Sequence, residues 1–121
     1  RVVVHGGELV EHTATGAPEG TTVIVEGLFY NTPARRKFQK TVATELSHIY
    51  DMVERMALAH RDISFVLSYQ GKERFRTFGN GSFEDVIAAV FGQSFAKELV
   101  PVKGTYGIVT VSGFVTRPGS R

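Results

Sequence analysis

The pattern of apolar and polar positions along this chain first changes period near residue 41, and that change divides the sequence. Before it the pattern is that of strands. Val2-Val3-Val4, a Gly6-Gly7 turn and residues 8–14 read as two strands around a tight turn, with Leu9 and Val10 as the buried residues. A loop over residues 15–20 leads to residues 21–26, where Thr22, Ile24 and Glu26 alternate with Thr21, Val23 and Val25, the clearest early strand. Three short strands without a helix of their own do not make an independent core, so this part needs something to pack on.

From Thr41 the spacing becomes helical. Val42, Leu46, Ile49, Val53, Met56 (with Ala57) and His60 recur every three or four residues, one face of a helix of about five turns. Thr41 is placed to cap it. Thr44, His48, Asp51 and Arg55 form another stripe, which puts Arg55 on an exposed face, in reach of Asp51 four residues earlier. Strand alternation returns at residues 63–69, with Ile63, Phe65, Leu67 and Tyr69 on one side. Gln70-Gly71-Lys72 turns the chain into residues 73–78, where Arg74 and Arg76 face solvent and Phe75 faces inward.

After an Asn80-Gly81 turn, Ser82 followed by Glu84 and Asp85 is a helix start, because acids there complement the helix dipole. Val86, Ile87, Val90 and Phe91 form its buried stripe. Gly92 ends it, and residues 94–99 add a short second helix. Residues 100–102 and 106–116 read as strands separated by Lys103-Gly104-Thr105, and Arg117 and Arg121 follow as two further cations. The order from residue 41 is helix, hairpin, helix, hairpin: an α+β layer, a sheet with helices on one face and solvent on the other.

The junction between the two patterns carries the densest positive charge. Arg35, Arg36, Lys37 and Lys40 fall within six residues, and no acid lies between Glu26 and Glu45. Asn31-Thr32-Pro33 is a turn whose proline can open a helix. Cations at a helix start oppose the dipole, which suggests that they serve an anionic partner. A solvated basic turn is the other reading, and the spacing leaves both open.

Composition sets the remaining limits. With 121 residues, 42% hydrophobic and 21% charged, the chain is an ordinary globular sequence, and its net charge of +2 makes partner inference a matter of local clusters. It opens on Arg1-Val2-Val3-Val4 without an initiator Met, the expectation for a piece of something longer. There are no cysteines, hence no disulfide framework and no thiolate zinc site, which fits a cytoplasmic protein. No apolar run has the ~20 residues of a membrane span. His5, His12, His48 and His60 lack metal-ligand spacing, and no catalytic grouping is legible.

The residues Gly20-Thr21-Thr22-Val23, the run from Leu28 through Phe29-Tyr30-Asn31-Thr32-Pro33-Ala34-Arg35-Arg36-Lys37-Phe38, Ala57-Leu58-Ala59-His60 and Gly113-Phe114-Val115 with Arg117-Pro118 closely resemble the MutL family of DNA mismatch repair proteins. The resemblance runs from about Gly20 to Arg117. It implies the last antiparallel strands of a GHKL-type ATPase lobe and a basic junction over residues 1–40, then a truncated transducer-like α+β lobe over 41–121. It also implies that Thr21 belongs to an ATP site, that Lys37, Lys40 and Arg55, with Arg35 and Arg36 beside them, contact DNA without regard to sequence, and that the intact protein uses ATP and Mg. A homodimer through the ATPase lobe and a MutS-type mismatch sensor are the implied partners. The family's catalytic glutamate, magnesium-binding asparagine, glycine-rich lid motifs, phosphate-reaching lysine, and C-terminal dimerisation and endonuclease domain have no counterpart in these residues. The piece alone is therefore expected to hold no cofactor and to lack ATPase activity. The alternatives are a relay lobe of another GHKL ATPase or an RNA-binding ribosomal-type domain.

Overall fold

The computed structural model describes residues 1–119; Arg121, one of the two cations expected after the last strand, lies outside them. Packing divides the chain into two compact units, Arg1–Thr41 and Val42–Arg121.

In the first unit, Gly6 and Gly7 turn β1 (Val2–His5) onto β2 (Glu8–His12) in an antiparallel pair. Leu9 and Val10, expected inside, are exposed, as are both neighbours of each in β2's outward pattern apart from half-buried Glu11. The alternating segment at residues 21–26 forms no strand, and Val23, Ile24 and Val25 are exposed. Alternation fits a residue to a pleated surface, but a strand exists only where a ladder partner takes its N–H and C=O groups, and here β1 pairs with β2 alone. A short helix, α1 (Pro33–Lys37), follows, with proline in its first turn as the sequence suggests.

The second unit opens with α2 (Val42–Ala59), whose 18 residues are the five turns that the periodicity predicts. Its inward stripe is rotated from the expected one. Leu46, Tyr50, Val53, Ala57 and Leu58 turn inward, whereas Val42, Ile49 and Met56 are largely exposed. Ala57 is completely buried, against Phe75 and Val86. A small side chain at that point lets α3 (Phe83–Phe91) approach the helix closely.

β3 (Val66–Tyr69) and β4 (Lys72–Arg76) form the expected hairpin. Phe65, Leu67 and Tyr69 face inward and Phe75 is buried, while Arg74 and Arg76 stay outside. Just beyond β4, Thr77 is also buried. Its backbone N–H donates to the Phe65 carbonyl (2.9 Å), and its Oγ1 accepts from the Phe65 N–H (3.0 Å) and donates to the Ile63 carbonyl (3.4 Å). These bonds carry the hairpin one residue past its regular ladder and satisfy the buried hydroxyl.

Ser82 caps α3, its Oγ accepting from the Asp85 N–H at 3.2 Å, with Glu84 and Asp85 in the first turn. Asn80 fixes the approach: its Oδ1 accepts from the Ser82 N–H and its Nδ2 donates to Asp85 Oδ2. Ser82→Ala is expected to lower stability by about 1 kcal/mol and Ser82→Gly by only a few tenths, read from urea melts followed by circular dichroism. Gly92 ends α3, and α4 (Gln93–Ala96) is shorter than the sequence suggests.

β5 (Leu99–Tyr106) and β6 (Val109–Thr116) pair in unbroken register. The turn is not at Lys103-Gly104-Thr105, which runs through β5, but at Gly107-Ile108. Gly107 has φ of +58°, the glycine-favouring first position of a two-residue hairpin loop. β5–β6 and β3–β4 share no hydrogen bonds, so the expected single sheet is instead separate two-stranded sheets. The chain is α+β, with small antiparallel hairpins and helices.

Candidate nucleic-acid interface

The basic junction folds locally. The Arg36 N–H donates to the Thr32 carbonyl, and at the other end the Phe38 N–H donates to the carbonyl of Arg35. That closes α1 before the chain reaches α2, which begins at Val42. The cations therefore do not open the long helix. Arg35, Arg36 and Lys37 occupy the last turn of a separate short one, where the helix dipole favours positive charge. The electrostatic mismatch expected from the sequence is absent, and with it that argument for an anionic partner.

The surroundings supply a different argument. Every residue of α1 is exposed, and Phe38 beside it is 85% exposed. Among the described residues Arg35, Arg36 and Lys37 have no carboxylate partner. Two other exposed arginines do have one. On β4, Arg76 Nε donates to Glu73 Oε1 at 2.7 Å, which holds the Glu73 carboxyl below the usual carboxylate range. On α2, Arg55 Nε lies 3.0 Å from Asp51 Oδ2, with the arginine side chain 77% exposed. Such a surface pair contributes only about 0.3–0.5 kcal/mol, so a phosphate can compete for the guanidinium.

The structure thus brings Arg35, Arg36 and Lys37 together on one helical turn, with Lys40 following in the same unit, while Arg55 belongs to the second unit and is engaged by Asp51. Thr21 is exposed and lines an open concavity of about 470 Å³ in the first unit, with Arg1, Thr15, Glu19, Gly20 and Thr22. Among the described residues no group of His, Asp or Glu side chains is placed to hold a metal, and no helix is long and apolar enough to cross a membrane.

No family model matches the chain. Individual relatives do. It is 70% identical over 120 residues to the DNA mismatch repair protein MutL of Methanocorpusculum labreanum, an alignment covering 99% of this chain and 20% of that protein. It is 50% identical over 118 residues to MutL of Methanoculleus marisnigri and 45% over 118 residues to MutL of a Geobacillus species, with 98% of this chain covered in each case. This is a MutL-type sequence. It spans about a fifth of the length of these MutL relatives.

Proposed function

We propose that the chain is the part of a MutL-type mismatch repair ATPase that supplies cations to a sequence-independent DNA contact and relays ATP-driven dimerisation to repair. The observation that carries the reading is the exposed turn of Arg35, Arg36 and Lys37, unpaired by any carboxylate among the described residues. Cations of this kind meet phosphates without reading bases, which suits a repair factor that acts anywhere on a genome. Lys40 and Arg55 add to that contact in this reading. MutL relatives at 70% and 50% identity, DNA mismatch repair proteins by name, support it.

The open concavity at Thr21 is lined by one cation, Arg1, and one acid, Glu19, and among the described residues no group of His, Asp or Glu side chains is placed to hold a metal. Thr21 would contribute one hydroxyl to an ATP site that other segments complete. In the intact protein the ATPase lobe would form a homodimer, and a MutS-type sensor would recruit it.

Neutralising three to four phosphates gives a log–log salt dependence of duplex binding with slope about −3 to −4. Lys37→Glu with Arg55→Glu is expected to flatten it by about 2, while Arg74→Glu on β4 leaves it unchanged. Fluorescence anisotropy with a labelled duplex across a salt series reads the slopes. A double variant with the parent slope would remove both residues from the contact.

A further inference from the structure

The second unit carries a cleft that the DNA reading does not use. Cross-strand pairs Pro101–Phe114 and Lys103–Ser112 stand directly opposite one another in β5–β6, two residues apart along each strand. All four side chains therefore share one face of the hairpin. Phe83, at the start of α3, meets that face with its ring centroid 5.4 Å from that of Phe114. Arg61 lies over the Phe83 ring, 5.9 Å from its centroid. Together they line a hollow of about 340 Å³ with an apolar floor and no acidic residue in its wall. Arg61 and Lys103 stand at it as two cations, and neither is ion-paired among the described residues.

We propose that this cleft binds an extended peptide in which acidic residues flank an apolar side chain. The apolar side chain would enter between Phe83, Phe114 and Pro101, and carboxylates would meet Arg61 and Lys103. Charge complementarity selects the acids, since the hollow offers cations without any carboxylate to offset them. Its volume admits side chains and not a helix about 10 Å across. Unpaired nucleotides fit less well, because they bind by stacking on open aromatic faces. Here the guanidinium of Arg61 lies over Phe83, and Phe83 and Phe114 are half-buried against each other.

The test uses the whole chain and a fluorescein-labelled peptide alternating Glu and Leu, read by anisotropy. The expected result is saturable binding that weakens about tenfold in Lys103→Glu. Replacing every Glu of the peptide by Gln should weaken it at least as much. Lys72→Glu, at the tip of the β3–β4 hairpin, should leave it unchanged. Because Lys103 is exposed, its replacement tests binding without disturbing the core, and an unchanged circular dichroism melt verifies this. Absence of saturable binding overturns the proposal, as does equal affinity in Lys103→Glu. Displacement of the peptide by oligothymidylate, with Lys103→Glu weakening both, would overturn it in favour of a nucleic-acid site. These outcomes are separate from those of the duplex experiment, whose variants lie on α1 and α2.

Discussion

Phe75→Ala is expected to destabilise the second unit by about 3–5 kcal/mol, the usual loss when a buried phenylalanine is truncated. Phe75 is 7% exposed and packs with Ala57 and Val86, surrounded by Tyr50, Val53, Phe65, Leu67 and Val90. With Leu67 of β3, it packs the hairpin against Ala57 of α2 and Val86 of α3. Ala57 cannot move in to refill the space, because its methyl group has no further reach, and Val86 is stiff at χ1. Most of the cavity should therefore remain. A loss of that size is a large fraction of the stability of any domain of this length. Urea denaturation followed by circular dichroism measures it. Phe75→Leu, which keeps much of the volume, should lose considerably less, and equal losses in the two variants would show that the ring is not packed as described.

Gly79→Ala is expected to cost about 2–5 kcal/mol, from two sources that can be separated. Gly79 has φ of +65°, where an L side chain adds roughly 1–2 kcal/mol. A Cβ would also stand 2.7 Å from the Ser64 backbone N and 3.0 Å from the Ile63 carbonyl carbon. Those are backbone atoms held by the Thr77 hydrogen bonds, so they cannot swing aside as a flexible side chain would. Overpacking of this kind adds about 1–3 kcal/mol. Gly81 supplies the control. Its φ is +76°, but a Cβ there meets nothing within 4 Å. Gly81→Ala therefore reports the backbone conformation alone, and the difference between the two urea midpoints isolates the close approach. Equal midpoints would mean that residues 63, 64 and 79 are not in contact.

Phe75 and Ser82 show where the sequence was legible. Phe75 between Arg74 and Arg76 is a period-2 signal with a strong contrast in polarity, and Ser82 followed by Glu84 and Asp85 is a cap with a local mechanism. Both are determined within a few residues, and both stand in the structure. Thr77 is different. As a polar residue it gives no burial signal, and its place inside depends on the backbone of Phe65 and Ile63, twelve and fourteen positions away.

The same distinction explains the errors. Gly104 and Gly107 are both plausible turn glycines, and the register of β5 with β6, not the residue type, decides between them. The broad apolar arc of α2 allows several faces, and the position of α3 opposite Ala57 selects one. Continuity between hairpins depends on strand edges that carry no sequence mark. At the candidate site, the clustering of Arg35, Arg36 and Lys37 was legible but its helical context was not. The short break over residues 38–41 makes the cations the end of one helix instead of the beginning of another.

That break has a consequence for recognition. Five residues are far below the length at which a helix persists in water by itself, and α1 buries none of its side chains. Its winding rests on Pro33, on the bonds at its two ends and on favourable charge at its last turn. Consecutive helical positions point about 100° apart, so Arg35, Arg36 and Lys37 keep fixed relative directions only while the turn is wound. In the proposed DNA contact, apparent affinity would be reduced by whatever fraction of the time the turn is frayed, and phosphates meeting the cations would favour the wound state.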